Sequence, residues 1–258
     1  GTAGCNLHCK YCQNWDISQS TPEETKNLDL PPEEVARRAV AYRCKSIAYT
    51  YNDPAIFFEY AVDTAKAGRK AGVKSVFITA GYLNPKPLDE LCSVVDAIKV
   101  DFKGITEEFY NNVCLGRLQP VLDTMKAIRQ RNVWLELVNL IVPTLNDKSD
   151  DIARLIDWVL ENLGADVPLH FSKFWPQYQL KNLPPTPEET LDAAWNMARK
   201  KGVHYAYIGN IPAHEGNNTN CPKCRRLLVK RAGYDVMEND IVSGKCKFCG
   251  QAIPGIWQ

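Results

Sequence analysis

Lys74-Ser75-Val76-Phe77-Ile78-Thr79-Ala80-Gly81 is the stretch on which the fold turns. β-branched and aromatic side chains fill its centre, so Lys74 to Thr79 reads as a strand, and Gly81 breaks it. On its N-terminal side Pro54 to Ala71 reads as a helix, with proline in the first turn and Gly72 as the stop. Further upstream, Ser46 to Thr50 reads as a strand and Pro31 to Arg43 as a helix carrying Glu33 and Glu34 in its first turn. Downstream, helices are expected over Leu88 to Val95, Asp123 to Arg131, Asp150 to Leu163 and Pro187 to Lys201. Strands are expected over Ala97 to Phe102, Val133 to Val142, Pro168 to Phe174 and His204 to Ile208. Strand and helix alternate about six times, the pattern of parallel βα units. No solenoid period repeats.

The chain has 258 residues, 45% hydrophobic and 24% charged, proportions that exclude disorder, collagen and small disulfide scaffolds. One α/β barrel of about 200–250 residues fits the length. Lys+Arg 31 against Asp+Glu 30 gives a net charge of +1. No overall field therefore favours nucleic acid or a membrane surface. No apolar run approaches the about 18 residues of a membrane span, and no leader-type segment precedes the first cysteine. The expectation is a cytoplasmic protein with no membrane partner. Seven of the ten cysteines crowd two clusters near the chain ends, which reads as metal binding in a reducing compartment. Residues 210–220, rich in Gly and Asn, read as a linker. The expected division is 1–209, the linker, and a small module over 221–258.

Gly4-Cys5-Asn6-Leu7-His8-Cys9-Lys10-Tyr11-Cys12 contains C-x3-C-x2-C. Three thiolates this close can face one metal centre and are too crowded to pair as disulfides. Three ligands leave one iron of a cluster open, and an open position is what a reactive metal site needs. A zinc site completed by a distant ligand such as His8 is the competing reading. With Tyr11 before the last cysteine, the motif resembles that of the radical SAM superfamily. The resemblance implies that Cys5, Cys9 and Cys12 ligate a [4Fe-4S] cluster whose open iron binds S-adenosylmethionine (SAM). Reductive cleavage of SAM would give methionine and a 5′-deoxyadenosyl radical that abstracts a hydrogen atom. The resemblance also implies an α/β fold, a partial (β/α)6 TIM-like barrel with its site at the strand C-terminal ends, and an external electron donor such as flavodoxin or ferredoxin.

The strand ends extend the resemblance. Tyr51-Asn52-Asp53-Pro54 stands where relatives carry Gly-Gly-Glu-Pro, which meets the SAM amino group. This chain keeps the acid and the proline and lacks both glycines. Asn52 and Asp53 are thereby expected SAM contacts, and an N-cap with Pro54 in the first turn accounts for the same residues. Thr79-Ala80-Gly81 resembles the Thr-Asn-Gly of glycyl-radical activases, and Val100-Asp101-Phe102-Lys103 their Asp-x-Lys. Period 2 puts Asp101 and Lys103 on one strand face. By resemblance they meet SAM hydroxyl and carboxylate groups; an ordinary ion pair is the alternative. Val142-Pro143 is expected against the adenine and His170 at the SAM ribose, although a lone strand histidine is more often a satisfied core residue.

Cys12-Gln13-Asn14-Trp15-Asp16-Ile17-Ser18, Asn139-Leu140-Ile141-Val142-Pro143-Thr144-Leu145-Asn146-Asp147, His170-Phe171-Ser172-Lys173-Phe174 and His214-Glu215-Gly216-Asn217-Asn218 narrow the likeness. Together with Tyr49-Thr50-Tyr51 they resemble the radical SAM protein of the AmmeMemoRadiSam system, a family similar to pyruvate formate-lyase activating enzymes. That resemblance implies Memo-like and AMMECR-type proteins as associates. Relatives carry a segment before the first strand. The present start, four residues before Cys5, leads to the expectation of a shortened N-terminus and weakened cluster binding.

Cys221-Pro222-Lys223-Cys224 and Cys246-Lys247-Phe248-Cys249 form two C-x2-C knuckles 21 residues apart. Two knuckles can place four sulfurs about 2.3 Å from one Zn²⁺, which then supplies folding energy to a module too small for its own core. A second iron–sulfur cluster is the alternative. Tyr234, Val236 and Ile241 suit a hairpin between the knuckles. Arg225 stands where relatives carry Gly. Cys44 and Cys92 are expected as small core residues and Cys114 as packing, with a substrate-contacting thiol or hydrogen-atom donor as its alternative.

Two other functions compete with a SAM-cleaving enzyme of unspecified substrate. One is an activase that installs a glycyl radical on a partner protein. The other is a non-catalytic metal-binding module whose Lys223, Arg225, Arg226, Lys230 and Arg231 meet nucleic acid. A solvated polar face explains that charge equally, and the thin aromatic content argues against nucleic acid.

Overall fold

The computed structural model describes residues 3–257. Six strands, β1 (Ser46–Tyr49), β2 (Lys74–Thr79), β3 (Ala97–Asp101), β4 (Trp134–Ile141), β5 (Leu169–Lys173) and β6 (Ala206–Gly209), belong to one parallel sheet in chain order. The helices are α1 (Trp15–Ser18), α2 (Pro32–Ala41), α3 (Phe58–Lys70), α4 (Pro85–Val94), α5 (Glu107–Phe109), α6 (Leu118–Gln130), α7 (Ser149–Asn162) and α8 (Glu188–Lys201). Helix follows strand throughout, the (β/α)6 order the sequence leads one to expect. The chain divides into two compact units: one runs to Leu135 and includes Pro176–Asn182, and the other holds Glu136–Trp175 and the chain from Leu183.

In the first unit β2 alternates as a strand covered on one face must. Ser75, Phe77 and Thr79 are buried, and Lys74, Val76 and Ile78 are half-buried. Tyr49 lies in register with Phe77, and Phe77 with Ile98, so one face carries the apolar side chains of all three strands. Helix α3 packs there. A Cβ on Gly68 would lie 3.4 Å from Ile47 Cδ1 and 3.3 Å from the Val73 carbonyl oxygen, so the absent side chain is what allows the close approach. The helix expected from Pro54 enters through a tighter 3-10 turn, Pro54–Phe57, before α3. Helix α6 begins at Leu118 rather than near Asp123. The Glu107 carboxylate accepts from the Leu118 and Gln119 amides at 3.1 and 3.4 Å, a cap supplied from α5. Cys44 is exposed and Cys92 half-buried, against the core placement expected. Cys44 follows Arg43, whose φ of +55° turns the chain off the end of α2 at the surface.

In the second unit α7 buries Ile152, Leu155, Ile156 and Val159, the i, i+3, i+4, i+7 stripe of an amphipathic helix. Helix α8 buries Leu191, Ala194, Trp195 and Ala198 and stops at Gly202, φ +109°. Thr186 is buried after β5. Its hydroxyl donates to the Ile141 carbonyl at 2.6 Å and accepts the Phe174 amide at 2.8 Å. Beyond β6, a 3-10 turn (Glu215–Asn217) and β7 (Thr219–Asn220) occupy the segment expected as a linker, and Asn217 Nδ2 donates to the Ile208 carbonyl at 2.7 Å. β7, β8 (Leu227–Ala232) and β9 (Asp235–Asn239) form an antiparallel sheet, and β10 (Ile241–Val242) pairs with β11 (Lys245–Cys246). Cys221, Leu228, Val229, Cys246 and Ile253 form the core of this ribbon and share it with Tyr205, from the run into β6. Among the described residues no helix is long and apolar enough to cross a membrane.

Candidate active site and metal centre

Cys5, Cys9 and Cys12 lie on the loop leading into α1, each a free thiol. The Gly4 amide donates to the Ile17 carbonyl at 2.8 Å and the Cys12 amide to that of Cys9 at 3.0 Å. Asn52 Nδ2 donates to the Gly4 carbonyl at 2.9 Å, and Asn6 Nδ2 to that of Tyr82 at 2.7 Å. A clamp comes from an element that no local signal announced: α5 runs into a π-helical turn, Tyr110–Cys114, that ends at Leu115 with φ +55°. The carbonyls at its end turn to the cysteine loop. Val113 accepts from the Lys10 amide at 2.9 Å and Cys114 from the His8 amide at 3.2 Å. π-Helical turns are rare and concentrate at functional sites. Gly116 follows, and a Cβ there would meet Leu7 Cδ2 at 2.6 Å. Residues 176–182 add a further hold: the Gln179 amide donates to the Lys10 carbonyl at 3.0 Å, and Trp15 stacks on Tyr178 at 5.5 Å.

The thiols are shielded. Burial pushes Cys5 up to about 11. A hydrogen bond with Cys114, and then burial, holds Cys9 well above the usual thiol range. Such sulfurs bind as thiolates only where a cation compensates them, which a metal cluster does. Asn6 Oδ1 is buried without a hydrogen-bond partner, a spare acceptor beside the loop. A single zinc ion fits less well, because ligands at about 2.3 Å hold tetrahedral sulfurs about 3.8 Å apart. Among the described residues no group including these three cysteines has donor atoms that close, and the exposed His8 ring pairs with Gln19. The donor set, three thiols on one short loop, fits a polynuclear iron–sulfur centre.

Asp53 knots the ends of β1 and β2. Its carboxylate accepts from the Ala55 amide at 3.0 Å, the Ala80 amide at 2.7 Å and the Thr79 hydroxyl at 2.9 and 3.0 Å. It is thus the expected N-cap and also ties down Thr79. Burial pushes its pKa up, against the pull of these donors. Tyr51 has φ +83°, and its carbonyl accepts from Asn14 Nδ2 at 2.6 Å. Asp101 lies between Lys99 and Lys103, at 2.5 and 3.5 Å. Burial favours its neutral form, but the two ammonium groups hold it below the usual carboxylate value. Burial works against the Lys103 ammonium, yet Cys9, Asp101 and Cys114 raise it well above the usual lysine value. Cys5, Cys9, Cys12, Asn52, Asp53, Thr79, Asp101 and Lys103 thus all belong to the first unit.

His170 belongs to the second. Its Nε2 is 3.0 Å from Glu136 Oε2, and its ring stacks on Tyr207 at 4.8 Å. Val142 is buried at the end of β4. Sequence reasoning missed Glu136 and Tyr207; strand register would have found Tyr207, which lies beside His170 across β5 and β6.

Cys221, Cys224, Cys246 and Cys249 come together with all four sulfurs within 4.8 Å of one another. Cys221 to Cys249 is 3.6 Å and Cys224 to Cys246 is 3.7 Å. Those are the edges of a tetrahedron about one ion, about 3.8 Å. Arg225 takes φ +62°, the knuckle conformation glycine would otherwise supply.

A model of the radical SAM superfamily matches residues 1–159. The chain is 44% identical over 252 residues to uncharacterized protein MJ0808 of Methanocaldococcus jannaschii, covering 97% of this chain and 75% of that protein. It is 22% identical over 222 residues to pyruvate formate-lyase 1-activating enzyme of Escherichia coli (strain K12), covering 79% of this chain and 86% of that enzyme. Among solved structures, Streptococcus suis SuiB bound to S-adenosylmethionine superposes with a TM-score of 0.64 at 10% identity, over 82% of this chain and 49% of that one. The last match concerns the fold alone.

Proposed function

Since the chain belongs to the radical SAM superfamily, we propose that Cys5, Cys9 and Cys12 hold a [4Fe-4S] cluster with SAM beside it, and that the protein catalyses hydrogen abstraction. One observation carries the assignment: three free thiols on one short loop, clamped by the Val113 and Cys114 carbonyls. When bound, cluster and SAM together supply reductive cleavage to methionine and a 5′-deoxyadenosyl radical. The chain's own residues bind and orient. Lys103, held charged, suits the SAM carboxylate, and Asp101 suits its hydroxyls. Asp53 fixes Thr79 and the turn after it, so that Asn52, Asp53 and Thr79 form the wall toward the SAM amino group. His170 is braced by Glu136 and Tyr207 within the second unit. The test is anaerobic: reconstituted, reduced protein is expected to form 5′-deoxyadenosine from SAM, and C9A to form none. Equal product from both sinks the assignment.

The acceptor of radical chemistry is read as a partner protein, supported by the likeness to pyruvate formate-lyase activating enzymes, with a separate protein as electron donor. A glycyl-radical doublet in the electron paramagnetic resonance (EPR) spectrum of a candidate partner, dependent on SAM, is the expected signature. His214-Glu215-Gly216-Asn217-Asn218 and the other distinctive motifs support a place in the AmmeMemoRadiSam system, with Memo-like and AMMECR-type proteins as associates. Co-purification checks this, and their absence from the complex counts against it. In the module over 221–258, the 3.6 and 3.7 Å sulfur pairs support one tetrahedral ion, read as structural zinc.

A further inference from the structure

Cys12 meets α1 through a side-chain contact. Its Sγ lies 3.2 Å from the hydroxyl oxygen of Ser18, the last residue of that helix, and Ser18 is 2% exposed. Gln19 Nε2 donates to the same hydroxyl oxygen at 3.1 Å. At its other atom, Oε1, Gln19 meets Nδ1 of the His8 ring. An amide oxygen only accepts, so His8 Nδ1 carries the proton of that bond. Backbone bonds hold the series in place. The Ser18 amide donates to the Asn14 carbonyl at 2.8 Å, and the Gln19 amide to that of Trp15 at 3.0 Å. Each donor therefore faces toward Cys12: the imidazole gives to the amide oxygen, the amide nitrogen gives to the hydroxyl, and the hydroxyl proton is left for the sulfur.

We propose that Ser18 is a positioning residue whose hydroxyl donates a hydrogen bond to the Cys12 sulfur and thereby raises the reduction potential of the cluster. This rests on the reading of Cys12 as a cluster ligand. In the free thiol either atom can supply the proton of the 3.2 Å contact. Iron takes the sulfur as a thiolate, so the Cys12 proton leaves when the cluster binds. Ser18 is then the donor. Gln19 Nε2 occupies a lone pair of the hydroxyl oxygen, which directs the hydroxyl proton away from Gln19. A chain of donors aligned this way is polarised in one direction and strengthens as charge builds on the Cys12 sulfur. Reduction adds one electron, from the external donor, to the cluster. Hydrogen bonds to the cluster sulfurs stabilise that more negative state. Ser18 touches neither SAM nor substrate in this role.

The experiment is a redox titration of the full chain, reconstituted anaerobically without SAM and followed by EPR of the reduced cluster. Wild type, S18A and S18T are compared at matched iron and sulfide content. S18A removes one oxygen atom and is expected to shift the cluster to lower potential. Its reduced-to-oxidised ratio at a fixed applied potential should fall up to about tenfold, or about 59 mV for one electron. S18T keeps the hydroxyl and is expected to recover most of the shift. A serine that only packs would change how much cluster forms, not the potential of the clusters that do form. S18G, also without a donor, gives the same comparison if S18A does not accumulate folded. A potential unchanged or higher in the donor-free variant, with the cluster fully loaded, overturns the proposal and leaves the cluster assignment standing. Absence of any cluster from wild type overturns the assignment itself, and the proposal with it.

Discussion

Tyr51 pays for a backbone conformation that glycine adopts freely. With φ at +83° it sits in the left-handed region, and its side chain is 70% exposed, so little packing offsets the strain. Left-handed backbone costs a residue with a Cβ about 1–2 kcal/mol, against about 0.5–1 kcal/mol for the extra freedom of glycine in the unfolded chain. Tyr51→Gly is therefore expected to stabilise the protein by about 0.5–1 kcal/mol, read as a raised urea midpoint; a lowered midpoint would mean that the tyrosine ring has a packing role. Asp101 carries a pH dependence of definite sign. Its folded-state value lies below the ordinary 3.8 because Lys99 and Lys103 outweigh burial. Its contribution to stability is complete above that ordinary value and is lost as pH falls through the lower folded one. The stability difference between wild type and Asp101→Asn, measured by urea unfolding of iron-free protein, should shrink from pH 6 to pH 3. An equal difference at both would refute the linkage.

At the scale of elements, the π-helical turn decides whether the cysteine loop keeps its shape. Gly116→Ala puts a methyl group 2.6 Å from Leu7 Cδ2, and Leu7 is itself buried between Cys5 and Cys9. Overpacking of this kind costs about 1–3 kcal/mol, and the strain falls on the loop. Reconstituted iron and sulfide per chain are expected to drop while the helical circular dichroism of the fold stays unchanged; full cluster loading would show that Leu7 can move aside freely. The elements themselves were largely legible. Lys74 to Thr79 coincides with β2, and the other five strands fall within their expected runs or shift by one residue at an end. Period and glycine stops are local signals, and the sequence displays them. The π turn and the start of α6 were not legible. One is fixed by amides of a loop about a hundred residues away in sequence, the other by the Glu107 side chain. The candidate site was legible only as a proposal of residue types, from the cysteine spacing to Asp101-x-Lys103. Its supports were not: nothing local joins Asp53 to Ala80, the Cys114 carbonyl to Cys9, or Glu136 to His170.

At the scale of the whole molecule, seven cysteines form two sulfur sets of different size, and sulfur spacing selects what each can hold. The C-terminal four lie within 4.8 Å of one another, with edges of 3.6 and 3.7 Å, too tight to surround a cubane and right for one ion. The N-terminal three do not form such a group. On the proposed assignment the chain binds two kinds of metal at once, although all seven proposed ligands are thiols. Anaerobically purified and reconstituted protein is expected to contain one zinc per chain in addition to the iron and sulfide of one [4Fe-4S] cluster. Cys224→Ser should lose the zinc, keep the iron and sulfide, and unfold at a lower temperature, because a metal that binds only the folded ribbon contributes its binding energy to folding. Cys9→Ala should do the reverse and keep its zinc. Sulfide that disappears with Cys224, or zinc that disappears with Cys9, would show that distance between sulfurs is not what separates the two sites.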